Sequence, residues 1–545
     1  MSAPERPPGA TWRVLGLELA LGESEDRLRP RAARALGVEP GELRGLRIAR
    51  KALDARRHGG ARRLRFVCHV DAVLDAGRRP PALARALRSG RVRRAPKAGS
   101  LEVCARHPSL RDGTRVCVVG SGPAGLFAAL VLARNGLAVT VLERGPAVEP
   151  RSRAVARFHR TRELDPERNL LFGEGGAGTY SDGKIYTRVD DPLEVPLLEE
   201  LVACGAPPAI TYDSLAHIGT DRLHRILPAF RARLRALGVE LCFETRLESL
   251  RLRGDRVVAV ATSAGDVACD ALVLAVGHSA RDTWARLREQ GVPFAPKSFQ
   301  LGLRIEHPQE LIDRARYGDA AAQLGAASYN LVCRAGAGLP AAYSFCMCPG
   351  GRIVAAINEP GLLCTNGMSN SRHSSPWASA AVVTTFGPEH FGRDPFAGVA
   401  FQRDLERRFF EAGGGDYTAP AQTAPDFLAG RAGAAPRRST WPFGTTPARL
   451  DALLPGLARR ALARALRAFE RRIPGFAGEQ GLFVGLESRS SGPVRIPRDA
   501  ATRRARGFAN LLPVGEGAGY AGGIMSAALD GANAAKALLE LGLER

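Results

Sequence analysis

The chain has 545 residues, 45% of them hydrophobic and 24% charged, which is the ordinary balance of a globular protein. This composition excludes a fibrous or largely disordered chain, and the length predicts about three domains. The formal net charge is +22, and residues 1–100 hold 23 Lys and Arg against 10 Asp and Glu. Clustered cations attract phosphate polyanions, but arginine replaces lysine almost throughout, so a coding bias is the simpler interpretation.

Residues 1–98 form the first predicted domain, and their start is polar and proline-rich, without the apolar core of a secretory signal. Hydrophobic patterns between residues 12 and 95 predict a strand, a helix, two strands, a helix and a strand. This order indicates a small, basic, ferredoxin-like βαββαβ module. Five arginines near two of its strands make RNA an alternative partner, although only Phe66 lies near them to stack on a base: Arg56, Arg57, Arg62, Arg63 and Arg65.

A glycine motif follows a linker that contains proline and glycine. Gly120, Gly122 and Gly125 form G-x-G-x-x-G directly after a predicted strand and at the start of a predicted helix. In that setting the glycines allow a tight turn, a close approach to a pyrophosphate and close packing of helix on strand. Glu143 ends the next strand, where a carboxylate can accept hydrogen bonds from adenosine ribose hydroxyls. The pattern predicts a dinucleotide-binding βαβ unit, and its glycines and polar residues argue against a membrane span.

The rest of the chain divides into three predicted segments of an α/β protein with α+β parts. Residues 112–286 are the first part of a Rossmann-like domain, with a buried strand that ends at Gly277. Residues 287–477 mix strands and helices and contain no further dinucleotide turn, which predicts an inserted α+β substrate or cap domain. Residues 478–545 return to the nucleotide-binding domain.

The C-terminal segment distinguishes between the candidate dinucleotides. Gly515 and Glu516 follow a predicted strand, and Gly522 and Gly523 precede a long helix of small residues. The start of such a helix offers free backbone N–H groups and the positive end of a dipole, which suit a phosphate or a negatively charged flavin ring. A second glycine turn of this kind, at the far end of the chain, favours FAD over NAD.

These motifs lie within longer sequence stretches that resemble one protein family, including GSGPAGLFAAL, ERNLLFGEGGAGTYSDGKIYTR, ESRSSGPVRIPRD and GEGAGYAGGIMSAALDG. The chain resembles an uncharacterised bacterial family of FAD-dependent dehydrogenases in the glutathione-reductase-type flavoprotein superfamily. The resemblance implies a Rossmann-like FAD-binding domain of that type. It also implies cofactor-binding roles for the glycine motif with Pro123 and Ala124, and for Glu143 and Arg144 beside the adenosine. Gly176 and Lys184 would lie in a loop over the pyrophosphate and flavin, Leu247 at the adenine and Gly277 beside the cofactor. The residues implied at the ribityl chain and flavin ring are Gly515, Glu516, Ile524 and Met525.

Catalytic residues are harder to predict, because the flavin itself carries out the redox step. Arg304, Glu306 and His307 in LRIEHP are candidates if they face a ligand, but an alternating strand whose charges pair with neighbours is slightly favoured. Arg489 is a candidate cation near the substrate or flavin, and a structural ion-pairing arginine is equally consistent with its sequence context.

Cys346 and Cys348 form C-x-C, whose thiols would share one face of a strand. A redox pair is the weaker interpretation there, and a zinc site is weaker still because no second Cys or His pair with ligand spacing follows. The ten cysteines show no regular spacing, which predicts reduced thiols in a cytoplasmic protein and no metal.

The predicted function is an FAD-dependent oxidoreductase, a dehydrogenase or reductase, that transfers hydride or electrons between bound FAD and an unidentified small organic substrate. Because no second nucleotide domain is visible, NADH or NADPH would bind transiently as the reductant, or an electron-donor protein would supply electrons. Two alternatives stay open. One is an FAD-dependent RNA-modifying enzyme that uses the basic N-terminal module, and the other is a non-catalytic flavin-binding protein.

Overall fold

The computed structural model of the chain describes residues 9–58, 61–75, 80–433 and 438–543, without the side chains of residues 57, 58, 61 and 62. The chain forms two compact units. The first comprises Met1–Gly99, Pro207–Ala216 and Ala322–Leu324, and the second comprises the remainder. Among the described residues no helix is both long and apolar enough to cross a membrane.

The first unit contains one antiparallel sheet. Its strands and helices lie close to the predicted ones: β1 (Gly9–Ala20), α1 (Leu28–Leu36), β2 (Gly45–Asp54), β3 (Arg57–His58), β4 (Ala61–Arg62), β5 (Arg65–Asp75), α2 (Pro81–Arg88) and β6 (Val92–Arg94). The strand order is β2-β5-β1-β6, with a separate β3–β4 pair. Leu28 and Leu36 of α1 pack with Val14 and Val70 of the central strands, so the helix covers one face of the sheet.

The next part of the chain contains the predicted βαβ unit. Its elements are β7 (Arg115–Val119), α3 (Pro123–Arg134), β8 (Ala138–Leu142), α4 (Val148–Thr161), α5 (Glu194–Ala203), α6 (Thr220–Ala236), β9 (Glu240–Cys242), β10 (Leu247–Arg253), β11 (Arg256–Thr262), β12 (Gly265–Ala268), β13 (Ala271–Leu274) and α7 (Arg281–Glu289). Strands β10, β11 and β12 form a small antiparallel sheet.

The following segment builds a second large sheet. Its elements are β14 (Ala295–Pro296), β15 (Phe299–Pro308), α8 (Gln309–Tyr317), α9 (Ala321–Leu324), β16 (Val332–Cys333), β17 (Ala342–Cys348), β18 (Gly351–Ala355), β19 (Thr365–Ser369), β20 (Trp377–Phe386), α10 (Pro388–Phe391), α11 (Ala397–Ala412), β21 (Ala419–Thr423), α12 (Ala424–Ala429), β22 (Thr445–Pro447), α13 (Leu450–Leu453), α14 (Gly456–Glu470) and β23 (Leu482–Glu487). The order of the seven-stranded sheet is β16-β17-β20-β15-β23-β21-β22. Strand β23 lies in this sheet, although its residues were predicted to begin the C-terminal part of the nucleotide-binding domain.

The chain ends with β24 (Val494–Arg495), β25 (Leu511–Pro513) and α15 (Ile524–Leu541). Strand β25 pairs in parallel with β13, so both ends of the second unit meet in one parallel sheet of order β25-β13-β7-β8-β9. A Cβ on Gly531 of α15 would collide with the Ala124 carbonyl oxygen of α3, which shows how closely the two helices pack. Their contact brings the glycine turns that precede them to the same end of the sheet.

Candidate functional site

The three motif glycines have different roles at the carboxyl end of β7. Gly120 has φ +107°, and a Cβ there would collide with the Ala275 carbonyl oxygen of the neighbouring strand segment. A Cβ on Gly125 would collide with the Gly120 carbonyl oxygen. A Cβ on Gly122 would meet nothing closer than the Gly176 Cα at 3.9 Å. Two glycines are therefore needed for packing, whereas Gly122 leaves space open at the start of α3.

A second glycine loop lies against this turn. The backbone N–H of Gly175 donates to the Ser121 carbonyl oxygen over 2.9 Å, and a Cβ on Gly176 would lie 3.1 Å from the Gly122 Cα. The buried Arg151 donates to the Glu174 carbonyl oxygen over 2.7 Å and so anchors the loop. The predicted loop is thus in contact with the motif turn, and its glycines allow the backbone to approach closely.

Glu143 connects three chain segments through its carboxylate. One oxygen accepts hydrogen bonds from the N–H and the hydroxyl of Ser121, both at 2.8 Å. The other accepts from the N–H groups of Gly145 and Gly173, both at 2.9 Å. Protein donors thus occupy both oxygens and orient the two glycine loops, and the role of Glu143 at a ribose stays a prediction.

The neighbouring Arg144 is held by two carboxylates. It forms bidentate pairs with Glu167, at 2.7 and 2.9 Å, and with Asp282, at 2.8 and 3.0 Å, and its guanidinium lies 4.0 Å from the centre of the Phe172 ring. Leu247 is buried at the start of β10 and pairs with Thr262 of β11. The adenosine roles of Arg144 and Leu247 stay predictions.

The C-terminal turn completes the same edge of the sheet. Gly515 has φ +73°, and its N–H donates to Asp530 over 2.8 Å. Glu516 accepts hydrogen bonds from Lys297 Nζ at 3.0 Å and from the Gly492 N–H at 2.8 Å, and burial raises the pKa of its carboxyl group. A Cβ on Gly517 would collide with Gly277, which fixes the two strand ends side by side.

The start of α15 contacts the loop that lies on α3. A Cβ on Gly178 would lie 3.1 Å from Ile524, the first residue of α15, and Met525 behind it is buried. Two helix N-termini, each preceded by glycine, therefore meet one glycine loop at the carboxyl edge of a parallel sheet. Uncovered N–H groups at that position bind a pyrophosphate, so the residues fit a dinucleotide.

Family comparisons agree with this geometry. Residues 113–272 match the model of an FAD binding domain, and residues 298–490 match the model of an FAD-dependent protein C-terminal domain. Residues 12–72 match a domain of unknown function. An uncharacterised protein of Clostridium beijerinckii is 36% identical over 97% of this chain and 98% of its own length. The chain belongs to a family of FAD-dependent oxidoreductases.

More distant relatives are also similar to this oxidoreductase. A glycine oxidase of Pseudomonas aeruginosa is 31% identical over 30% of this chain and 55% of its own length. Among solved structures, a flavoprotein/dehydrogenase from Cytophaga hutchinsonii has 12% identity and a TM-score of 0.34, covering 79% of this chain and 80% of its own. A glycine oxidase from Bacillus cereus has 12% identity and a TM-score of 0.30, covering 79% and 99%.

The three candidates in β15 do not form one catalytic group. Arg304 and Glu306 are completely buried, and Glu306 accepts hydrogen bonds from the Ser439 hydroxyl at 2.7 Å and from Thr440. His307 is also buried, with Nε2 2.8 Å from the Phe476 carbonyl oxygen. The strand is buried on both faces rather than alternating, and these polar side chains hydrogen-bond to neighbouring protein groups. A catalytic role for the three residues stays a prediction.

Arg489 forms ion pairs within the protein, and its candidate role near the substrate or flavin stays a prediction. Its guanidinium donates to both oxygens of Glu406, at 2.9 and 2.6 Å, and to Asn358. Arg281 pairs with the same carboxylate over 2.9 Å, and all three charged side chains are buried. Burial opposes the charge on Glu406, but Arg281 and Arg489 outweigh it and lower its pKa. The guanidinium of Arg489 is thus committed to protein partners.

Lys184 lies beside the two cysteines of β17. Its ammonium group donates to Asp182 over 2.5 Å and to the Met347 carbonyl oxygen between Cys346 and Cys348. The charge of Lys184 is therefore directed at this side-chain cluster. A role for Lys184 at the pyrophosphate stays a prediction. Among the residues that the structure describes, no group of three or more His, Cys, Asp or Glu side chains could hold a metal ion.

Sequence reasoning missed His278 at the edge of the parallel sheet. It follows Gly277, and its Nδ1 lies 2.7 Å from the Ser279 hydroxyl. Burial, with smaller contributions from Arg489 and Arg281, lowers the pKa of His278 to about 4, so the ring is neutral at physiological pH. The motif GHSARDT contains this histidine, but only the fold shows that it adjoins the cofactor edge.

Two of the five arginines expected to favour RNA are paired within the first unit. Arg56 forms a bidentate pair with Asp54 at 2.8 and 2.9 Å, and Arg65 pairs with Glu18 at 2.9 Å. The side chains of Arg57 and Arg62 lie outside the described residues. Nucleic-acid binding by this module stays a prediction.

Proposed function

We propose that this oxidoreductase binds one FAD across the carboxyl edge of the parallel sheet and transfers hydride or electrons between it and a small organic substrate. The observation that carries the proposal is the convergence of the α3 turn, the Gly173–Gly178 loop and the α15 turn, which come from distant parts of the chain. When bound, FAD supplies the redox chemistry, and the chain supplies binding, orientation and electrostatics.

The chain's own residues have defined roles in this proposal. The N–H groups that follow Gly122 and Gly523 would bind the pyrophosphate and the negative end of the flavin system. Glu143 orients the two loops that form the cradle, and Asp530 orients the Gly515 turn. Neutral His278 and the Lys297–Glu516 pair would set the charge beside the reacting group.

We also propose that residues 287–477, together with β23, form a cap that covers the substrate, and that residues 1–98 form a ferredoxin-like accessory module. A cap over the cofactor excludes water and so strengthens the electrostatic interactions of a charged intermediate.

The test is the absorbance spectrum of the purified protein, followed by FAD titration and anaerobic addition of NADH or NADPH. We expect a flavin spectrum, and bleaching by one nucleotide would identify the reductant. Bleaching only by a chemical reductant would indicate an electron-donor protein or a non-catalytic flavin protein, which a screen of organic substrates would then distinguish. A colourless protein that takes up no added FAD would contradict the proposal.

A further inference from the structure

Cys346 and Cys348 lie in a polar cluster with Lys184, Asp182 and Arg304. It lies at the end of β17, where the register with β20 shifts between Phe345 and Cys348. Cys346 has φ +43°, which is uncommon for a residue other than glycine and concentrates at functional sites. A bulge of this kind redirects a side chain out of the regular alternation of a strand.

The bulge brings the Cys348 side chain against the backbone of Cys346. In a regular strand, residues two apart have Cα atoms about 6.6 Å apart, near the upper limit of roughly 6.8 Å for a disulfide. Here the strand bends, and the Cys348 thiol lies 3.3 Å from the Cys346 carbonyl oxygen. The regular-strand geometry assumed from sequence therefore does not apply at this position.

Two cations lie beside the two cysteines. Lys184 donates to the Met347 carbonyl oxygen, and Arg304 donates to the Cys346 carbonyl oxygen over 2.8 Å and to the Cys348 sulfur over 3.4 Å. Gly367 leaves room for Arg304, because a Cβ there would collide with its guanidinium. Positive charge of this kind stabilises a thiolate in preference to a thiol.

Two carboxyl groups moderate that charge. Asp182 pairs with Lys184, and Glu487 lies 3.4 Å from Arg304. Tyr186, which is 41% exposed, is also within electrostatic range of Lys184, Asp182 and Cys346. Cys346 is partly exposed, whereas Cys348 is completely buried.

The thiols differ in protonation as well as in access. The neighbouring Cys348 side chain, with Lys184 and Arg304, lowers the pKa of Cys346 against the effect of burial. Cys346 and burial raise the pKa of Cys348. Cys346, the more exposed of the two residues, is therefore the candidate attacking thiol.

We propose that Cys346 and Cys348 form a redox-active dithiol that exchanges with low-molecular-weight disulfides. The Cys346 thiolate attacks one sulfur of a disulfide RSSR, which forms a mixed disulfide and releases RS⁻. Cys348 loses its proton and attacks the Cys346 sulfur, which forms the Cys346–Cys348 disulfide and releases the second RS⁻. The dithiol loses two electrons and RSSR gains them, and excess thiol reverses both steps. The site goes beyond the proposed flavin function and needs no bound FAD, so the two can fail separately.

The first experiment adds oxidised glutathione to the reduced full-length protein without oxygen and maps disulfides by peptide mass spectrometry. We expect a Cys346–Cys348 disulfide in the wild type and a stable Cys346–glutathione mixed disulfide in Cys348→Ser. Cys346→Ser should leave Cys348 reduced, and Cys104→Ser, which removes an exposed thiol, should behave like the wild type. Reaction at Cys104 while Cys346 and Cys348 both remain reduced would overturn the proposal.

The second experiment needs no cysteine variant, and its main comparison uses the wild-type protein. The alkylation rates of Cys346 and Cys104 by iodoacetamide are compared across pH in the wild-type protein. We expect the midpoint for Cys346 to lie at least about one pH unit below that for Cys104, and Lys184→Met to move it upward. Identical midpoints for the two thiols would overturn the assignment of Cys346 as the attacking thiolate.

Discussion

The carboxyl edge of the parallel sheet consists mainly of backbone, whereas the interior of the seven-stranded sheet contains buried charged side chains. The edge is made of backbone, and Gly120, Gly122 and Gly125 matter there because they have no side chain. The interior holds fully buried charges such as Arg304 and Glu406, which are paired across strands and helices. We infer that an added side chain is costly at Gly120 and Gly125, and that loss of a well-paired charge such as that of Glu406 is costly in the second region.

The largest effect is expected where one buried carboxylate neutralises two arginines. Glu406→Gln would leave Arg281 and Arg489 without a full counter-charge, which should cost about 3–5 kcal/mol of unfolding free energy. Urea unfolding measures the change. Asp404→Asn in the same helix is the control, because the pair of Asp404 with Arg408 is exposed and should be worth less than about 0.5 kcal/mol. Equal losses in both variants would remove the distinction between the two regions.

The next effect concerns the pH dependence of stability through Glu487. Burial raises the pKa of Glu487 from 4.5 to about 7, because the 3.4 Å pair with Arg304 recovers only part of the cost, while Arg304 itself stays charged. With the folded pKa above the unfolded one, the stability is fully present below pH 4.5 and is lost as pH rises through about 7. Glu487→Gln removes the ionisable group, so the unfolding free energy of this variant should fall by roughly 2–3 kcal/mol less than that of the wild type as the pH rises.

Denaturant unfolding at several pH values measures this difference. Glu310→Gln is the matched control, because Glu310 is 79% exposed and should leave the pH profile unchanged. A Glu487→Gln profile parallel to that of the wild type would mean that the carboxyl group is already ionised at low pH in the fold.

A glycine comparison tests the backbone-built edge. Gly122→Ala places a Cβ in open space, so stability should hold while the affinity for FAD falls about 10- to 100-fold, because the methyl group occupies the pyrophosphate approach. Gly125→Ala forces a Cβ into the Gly120 carbonyl oxygen, so it should lower the melting temperature as well. FAD fluorescence titration and thermal unfolding separate the two outcomes. Unchanged FAD affinity in Gly122→Ala would place the pyrophosphate elsewhere.

The smallest effect is expected for charges at the surface of the first unit. Arg44 and Asp75 pair at 2.6 Å but are 64% and 55% exposed. Arg44→Ala should therefore change the unfolding free energy by less than about 0.5 kcal/mol, as urea unfolding would show. A change several times larger would mean that this exposed ion pair stabilises the first unit, unlike the exposed pairs elsewhere.

The nucleotide-binding edge can be predicted from the sequence, since a glycine turn between a strand and a helix is a local pattern and residues 515–524 form a second turn of this kind. Which charges meet could be seen only in the folded chain. Lys184 contacts Met347 across 163 positions, and Arg489 pairs with Glu406 across 83 positions. Backbone conformation depends on neighbours in sequence. Ion pairs and thiol acidity depend instead on distances in space between residues that only the folded sheets bring together.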